Sequence, residues 1–187
     1  YENNGVIKRS EVDKIVKSIP PEERKKLWGM GIKIGRYHIY LPKMLKPKAV
    51  EFRVSLWKIF HNLSDKNVIP QSGLNFLINK NFEKNFLLLC GFEKFNEFFV
   101  RIDILEKLFI KIIDNTNDRK FKINTEMMNL LGCSKENFYK LMDYMNYKKD
   151  KAADTYIFKG EKKKKDKSIK FDKKENPFNK LLSLNIK

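Results

Sequence analysis

The chain has 187 residues, 42% of them hydrophobic, with 40 Lys and Arg against 23 Asp and Glu for a formal charge of +17. That composition excludes a disordered tail and is enough for one medium core or two small ones. No apolar run approaches the ~20 residues of a membrane span, and no signal-peptide pattern opens the chain.

The first residue is Tyr1 rather than Met, so the expectation is a piece of a longer, cytoplasmic polypeptide. Residues 1–19 read as a helix continuing from an upstream region. Val12, Ile15, Val16 and Ile19 fall at i, i+3, i+4 and i+7, with Ser10 as N-cap. Pro20-Pro21 ends that helix and opens a second, which closes at Gly29 and Gly31. Ile32, Ile34, Tyr37, Ile39 and Leu41 then alternate around Gly35-Arg36, a short hairpin pattern. Pro47 opens a helix to about His61, for which the spacing predicts Ala49, Phe52, Leu56 and Phe60 facing inward. Residues 62–80 read as a loop holding one short strand at Phe76–Ile78. Phe82, Phe86 and Leu89 mark another helix, closed by Gly91. Phe98-Phe99-Val100 reads as strand, and Ile102, Leu105, Leu108, Phe109, Ile112 and Ile113 trace one face of a strong helix.

Residues 124–158 form the most legible unit, the greater part of a winged-helix-like unit expected at 115–160. Asn124 or Thr125 caps a helix, Gly132-Cys133-Ser134 turns the chain, and Ser134 caps a second helix with the stripe Phe138, Leu141, Met142 and Met145. Tyr147 and Tyr156-Ile157-Phe158 then pair as a basic hairpin. Helix, tight turn, helix and hairpin is the order of a winged helix-turn-helix. A helix end followed by a hairpin also occurs at Leu27–Leu41 and Leu87–Ile102, a weak internal echo. The expected architecture is mainly α with small β-hairpins (α+β), with a helical lobe at 20–114 and the winged-helix-like unit after it. Residues 161–175 hold eight Lys and four acids and read as a flexible basic linker. Residues 176–187 read as a short docking segment.

Chemistry is sparse. There is no phosphate-binding P-loop. Cys90 and Cys133 lack C-x-x-C spacing, and the histidines are only His38 and His61, so buried thiols in a reducing compartment are expected rather than zinc. His38 has no nearby acid to orient it, and Asp103 with Glu106 reads as a solvated helix face. No catalytic, cofactor or metal site is predicted.

A polyanion is the partner that the charge favours. Lys, Asn, Ile and Phe share AT-rich codons, so lysine number is a poor guide and the six arginines are the more informative cations. On the first hairpin Lys33, Arg36, Tyr37 and His38 combine cations with rings, suited to phosphates and unpaired bases. Lys48, Arg53 and Arg101 extend that set. Lys135 and Lys140 on the winged unit's second helix, and Lys148 and Lys149 in its wing, complete it.

Several stretches resemble the C-terminal region of alphaproteobacterial-type DExH-box (superfamily 2) helicases related to the mitochondrial degradosome RNA helicase. They are residues 27–36 (LWGMGIKIGR), 40–47 (YLPKMLKP), 49–57, Cys90-Gly91-Phe92, 100–106 (VRIDILE), 130–138 (LLGCSKENF) and Asn176-Pro177-Phe178. The resemblance implies an accessory region of an ATP-dependent RNA or DNA helicase whose motor, with its ATP and Mg, lies upstream. It would bind RNA or DNA, single strand favoured, as a monomer. A protein-docking module serving a nuclease or ribosome-associated partner is the alternative, and a free-standing winged-helix regulator is a third. A basic face continuous across Arg36, Arg53 and Arg101 would favour strand binding, and an exposed apolar patch would favour docking.

Overall fold

The computed structural model of the chain describes residues 5–62, 68–78, 83–150 and 154–158. The expected linker at 161–175 and docking segment at 176–187 lie outside them, as does Phe82. The chain begins with β1 (Val6–Lys8), α1 (Arg9–Ser18), α2 (Pro21–Gly29), β2 (Lys33–Ile34) and β3 (His38–Tyr40). A 3₁₀ turn (Pro42–Leu45) leads into α3 (Pro47–Phe60), then β4 (Phe76–Ile78), α4 (Lys84–Leu89), β5 (Phe92–Phe95) and β6 (Phe98–Arg101). The last stretch is α5 (Ile102–Asp114), β7 (Thr116–Asn117), β8 (Lys120–Lys122), α6 (Thr125–Leu131), α7 (Lys135–Tyr144), β9 (Tyr147–Lys149) and β10 (Thr155–Phe158). The fold is mixed α+β, with seven α-helices and three small antiparallel sheets among the described residues.

The three sheets share one threading. Their strand orders are β1-β3-β2, β4-β6-β5 and β7-β8-β10-β9. In each, a hairpin follows a helix, and the strand preceding the helix pairs with the hairpin's second strand. β7 is an extra edge on the third sheet. The echo in the sequence therefore corresponds to a repeated topology. Hairpin pairing is local and the returning strand adds a central position, so each sheet closes on nearby sequence.

Caps and core explain the helices. Asn124 Oδ1 accepts the Met127 N–H at 2.9 Å and Ser134 Oγ accepts the Asn137 N–H at 3.3 Å, fixing the starts of α6 and α7. Gly132 ends α6 in the left-handed region (φ 68°). The largest core cluster runs from Phe98 through α5, Phe121, α6 and α7 to Tyr156, across the boundary expected at residue 114. A second gathers Val50, Val54, Phe86, Leu87, Leu89, Phe92 and Phe99, and a third Val6, Tyr40 and Ile102. β6 joins them, because alternate side chains of a strand point to opposite faces: Phe98 and Val100 enter the first cluster and Phe99 the second.

Two expectations about helix faces are corrected. On α1, Lys8 rather than Ser10 is the N-cap residue, and Val16 is buried while Ile15 is exposed. On α3, Val50 and Val54 face inward, whereas Phe52 (64% exposed), Leu56 (49%), Ile59 (73%) and Phe60 (52%) face solvent. α3 carries apolar residues on both sides, and packing against Phe86 and Leu87 selects the valine side.

Candidate nucleic-acid interface

The hairpin expected to meet a strand is held from beneath by a buried polar cluster. Burial is deep: His38 is 2% exposed, Glu93 5% and Glu106 6%. Glu106 Oε2 accepts the Arg36 backbone N–H at 2.6 Å, and Oε1 accepts those of Tyr37 and His38 at 2.9 and 2.8 Å. Oε1 also lies 3.3 Å from His38 Nδ1. On the other side of the ring, His38 Nε2 lies 3.2 Å from Glu93 Oε2, while Lys8 Nζ donates to Glu93 Oε1 at 2.6 Å. A carboxylate at each ring nitrogen gives both an acceptor, an arrangement that favours the imidazolium state. Two cations then balance two carboxylates. The cluster draws on β1, β3, β5 and α5, so it ties all three sheet-bearing stretches together.

The titration behaviour follows from that geometry. Burial alone would lower the His38 pKa, but hydrogen bonds to Glu106 and Glu93 outweigh it and the value is raised above 6.5. Burial alone would raise both carboxyls, but His38 with Lys8 holds Glu93 below 4.5. His38 with the three backbone amides does the same for Glu106. Gly35 completes the fit, because a Cβ there would overlap the Glu106 carboxylate and lie 2.8 Å from the His38 carbonyl oxygen.

His38 is therefore corrected from a surface contact to an internal tie, and Glu106 from a solvated residue to a buried one. Tyr37 is half-buried, edge-on to Phe109 at 5.1 Å with its hydroxyl 3.4 Å from that of Tyr147. Arg53 Nη2 donates to the Met44 carbonyl at 2.7 Å, and Arg101 forms a two-pronged pair with Asp103 at 2.6 and 2.9 Å. These two arginines brace their own surroundings, so the continuous basic face across Arg36, Arg53 and Arg101 that would favour strand binding is not formed by their guanidinium groups. Lys33, Arg36 and Lys48 are exposed.

On the third sheet, residues facing each other across strands share a side. Lys120 and Lys148 stand opposite Ile157, and Lys122 opposite Thr155, so the outer face carries three lysines. Lys120 pairs with Asp150 at 2.8 Å. Lys149 lies 5.2 Å over the Tyr139 ring, and Lys135 pairs with Asp154 at 3.5 Å. Tyr139 donates a hydrogen bond to Asp154. The exposed stripe of α7 holds Glu136, Lys140 and Asp143, a mixed face that does not favour a phosphate backbone.

Burial disfavours the thiolate at both cysteines, pushing Cys90 up to about 12 and the partly buried Cys133 up to about 11. Among the described residues no group of His, Cys, Asp and Glu is arranged to hold a metal, and no helix is long and apolar enough to cross a membrane. Comparison with protein-family models, with curated proteins and with solved structures finds no match to this chain.

Proposed function

We propose that this chain is a nucleic-acid-binding accessory region of an ATP-dependent helicase, built from successive winged-helix-type units, the third of them the most complete. The repeated strand order supports the unit assignment: α5, β8, α6, α7, β9 and β10 follow one another as in a winged helix, with β8 beside β10 and β9 at the edge. The observation that carries the binding reading is the lysine face of that sheet, Lys120, Lys122 and Lys148. Because α7 offers Glu136 and Asp143 with Lys140 to solvent, contact through the wing and sheet is favoured over base reading by the helix. Such contact is governed by phosphate charge and depends on salt. The helicase assignment rests on the sequence resemblance alone.

The test is binding of the full chain to single-stranded RNA, single-stranded DNA and duplex DNA across a salt series. Lys122→Ala with Lys148→Ala is expected to flatten the logarithmic salt dependence by roughly 1.4, about 0.7 for each lost single-strand phosphate contact. An unchanged slope in the double variant removes the sheet from the interface.

The α3 stripe favours protein docking as a second reading. Four large apolar side chains facing solvent on one helix form a surface typical of partner contacts. Phe52→Ser with Ile59→Ser is expected to leave the unfolding free energy within roughly 1 kcal/mol, as for exposed sites. The same change is expected to abolish association with an apolar-grooved partner, read by analytical ultracentrifugation of the mixture. A large stability loss instead would make α3 part of the core.

A further inference from the structure

The six arginines divide by what their guanidinium groups do. Arg9 donates to the Gly35 carbonyl at 3.0 Å, and Arg24 donates to the Ile19 and Val16 carbonyls at the end of α1. Arg53 and Arg101 have the intramolecular partners described above. Arg36 and Arg119 differ: among the described residues neither guanidinium is in an ion pair or hydrogen bond, and both line one cleft of about 390 Å³. That volume lies within the ~300–1,000 Å³ typical of ligand sites. The floor between them is apolar and aromatic, formed by Phe109, Ile113, Phe121 and Tyr147.

Both arginines are placed with care. Arg36 sits on the turn whose amides Glu106 holds, and its guanidinium lies 5.2 Å over the Phe109 ring. Its position is thus set before any ligand arrives. Arg119 is the second central residue of the two-residue turn joining β7 and β8. Asp118 (φ 49°) and Arg119 (φ 63°) both adopt left-handed backbone there. Turns of that type favour glycine at the second position. An L-residue there costs roughly 1 kcal/mol, and among the described residues no ion pair or hydrogen bond of the guanidinium offsets it. Strain kept without a structural return points to function.

We infer that this cleft seats one unpaired base of a single-stranded polynucleotide against the apolar floor, with Arg36 and Arg119 holding the phosphates on either side. The inference rests on the nucleic-acid reading above and names its site. Two guanidinium groups lining one cleft, that of Arg36 held over Phe109, match a backbone that presents a phosphate on each side of every base. The rings of the floor are buried and Ile113 is its exposed part, so the floor accepts any base by apolar contact rather than by a base-specific pattern. A duplex, whose bases are paired and inward, cannot fill it.

The experiment measures affinity of the full chain for fluorescent single-stranded oligouridylate and oligothymidylate, for a duplex of equal charge, and for an abasic oligomer. Arg36→Ala, Arg119→Gly and the Lys122→Ala/Lys148→Ala variant are compared. Arg36→Ala and Arg119→Gly are each expected to weaken single-strand binding about tenfold, the loss of one charge-assisted contact. Arg119→Gly is expected to keep or raise the melting temperature, since glycine suits the turn. Binding that falls with the lysine variant but not with either arginine variant overturns the cleft and leaves the broader reading intact. Equal affinity for the abasic oligomer overturns the base seat. Absence of binding to every oligonucleotide overturns the nucleic-acid reading, and the cleft with it.

Discussion

Replacing Glu106 with alanine is expected to lower the unfolding free energy by about 3–5 kcal/mol, the range for removing one member of a buried charged pair. The loss has three parts. His38 keeps a charge with one counter-ion gone, the backbone N–H groups of Arg36, Tyr37 and His38 lose their acceptor, and a void opens beside Gly35. Urea unfolding measures it, and a loss below about 1 kcal/mol would show that water replaces the carboxylate. The same cluster sets a pH profile. The His38 pKa is raised, so its contribution is complete below 6.5 and disappears as pH rises through the folded value. Glu93 and Glu106 are lowered, so theirs is complete above 4.5 and disappears as pH falls through their folded values. The contribution is therefore greatest between 4.5 and 6.5. His38→Gln is expected to remove the alkaline decline, so its deficit against the wild type narrows as pH rises. A constant deficit across the alkaline range would mean that His38 is neutral in the fold.

Phe98→Ala is expected to cost about 3–5 kcal/mol, the usual penalty for deleting a buried phenyl group. Phe98 is fully buried on the central strand of its sheet, 5.0 Å from the Phe76 ring and 5.6 Å from that of Tyr144. It is where the second sheet enters the core shared with α5, α6, α7 and the third sheet, and removing it takes packing from both. Phe52→Ala on the solvent face of α3 is the matched control, expected to change stability by no more than roughly 0.5 kcal/mol. Equal losses at the two positions would mean that α3's exposed stripe is covered in solution.

Local chemistry was legible in the sequence and long-range partnership was not. The caps Asn124 and Ser134, the turn at Gly132 and the hairpins around Gly35 and after Tyr147 are short-range patterns, and each forms where its residues predict. α3 shows the limit of periodicity, because Val50, Val54 and Trp57 compete with Phe52, Leu56 and Phe60 as an apolar face. Only the neighbouring α4 decides between them. The His38 cluster joins residues 68 and 55 positions apart, beyond any spacing rule. One signal was present: Glu106 stands four residues after Ile102 and three before Phe109, inside the apolar stripe of α5. An acid in that place has to find buried donors. Arg119 was missed because its interest lies in a backbone dihedral, which residue type alone does not reveal.

The threading of the sheets has a consequence for how the protein is made. Each sheet pairs strands close in sequence, so each can close as its own stretch leaves the ribosome, with little loop entropy to overcome. The amides of residues 36–38 are the exception. They remain hydrated while the second sheet forms, and their acceptor is synthesised only when α5 appears. Chain direction thereby imposes an order of assembly, in which the earliest hairpin is locked only after the second sheet has formed and its guanidinium is aimed once α5 is in place.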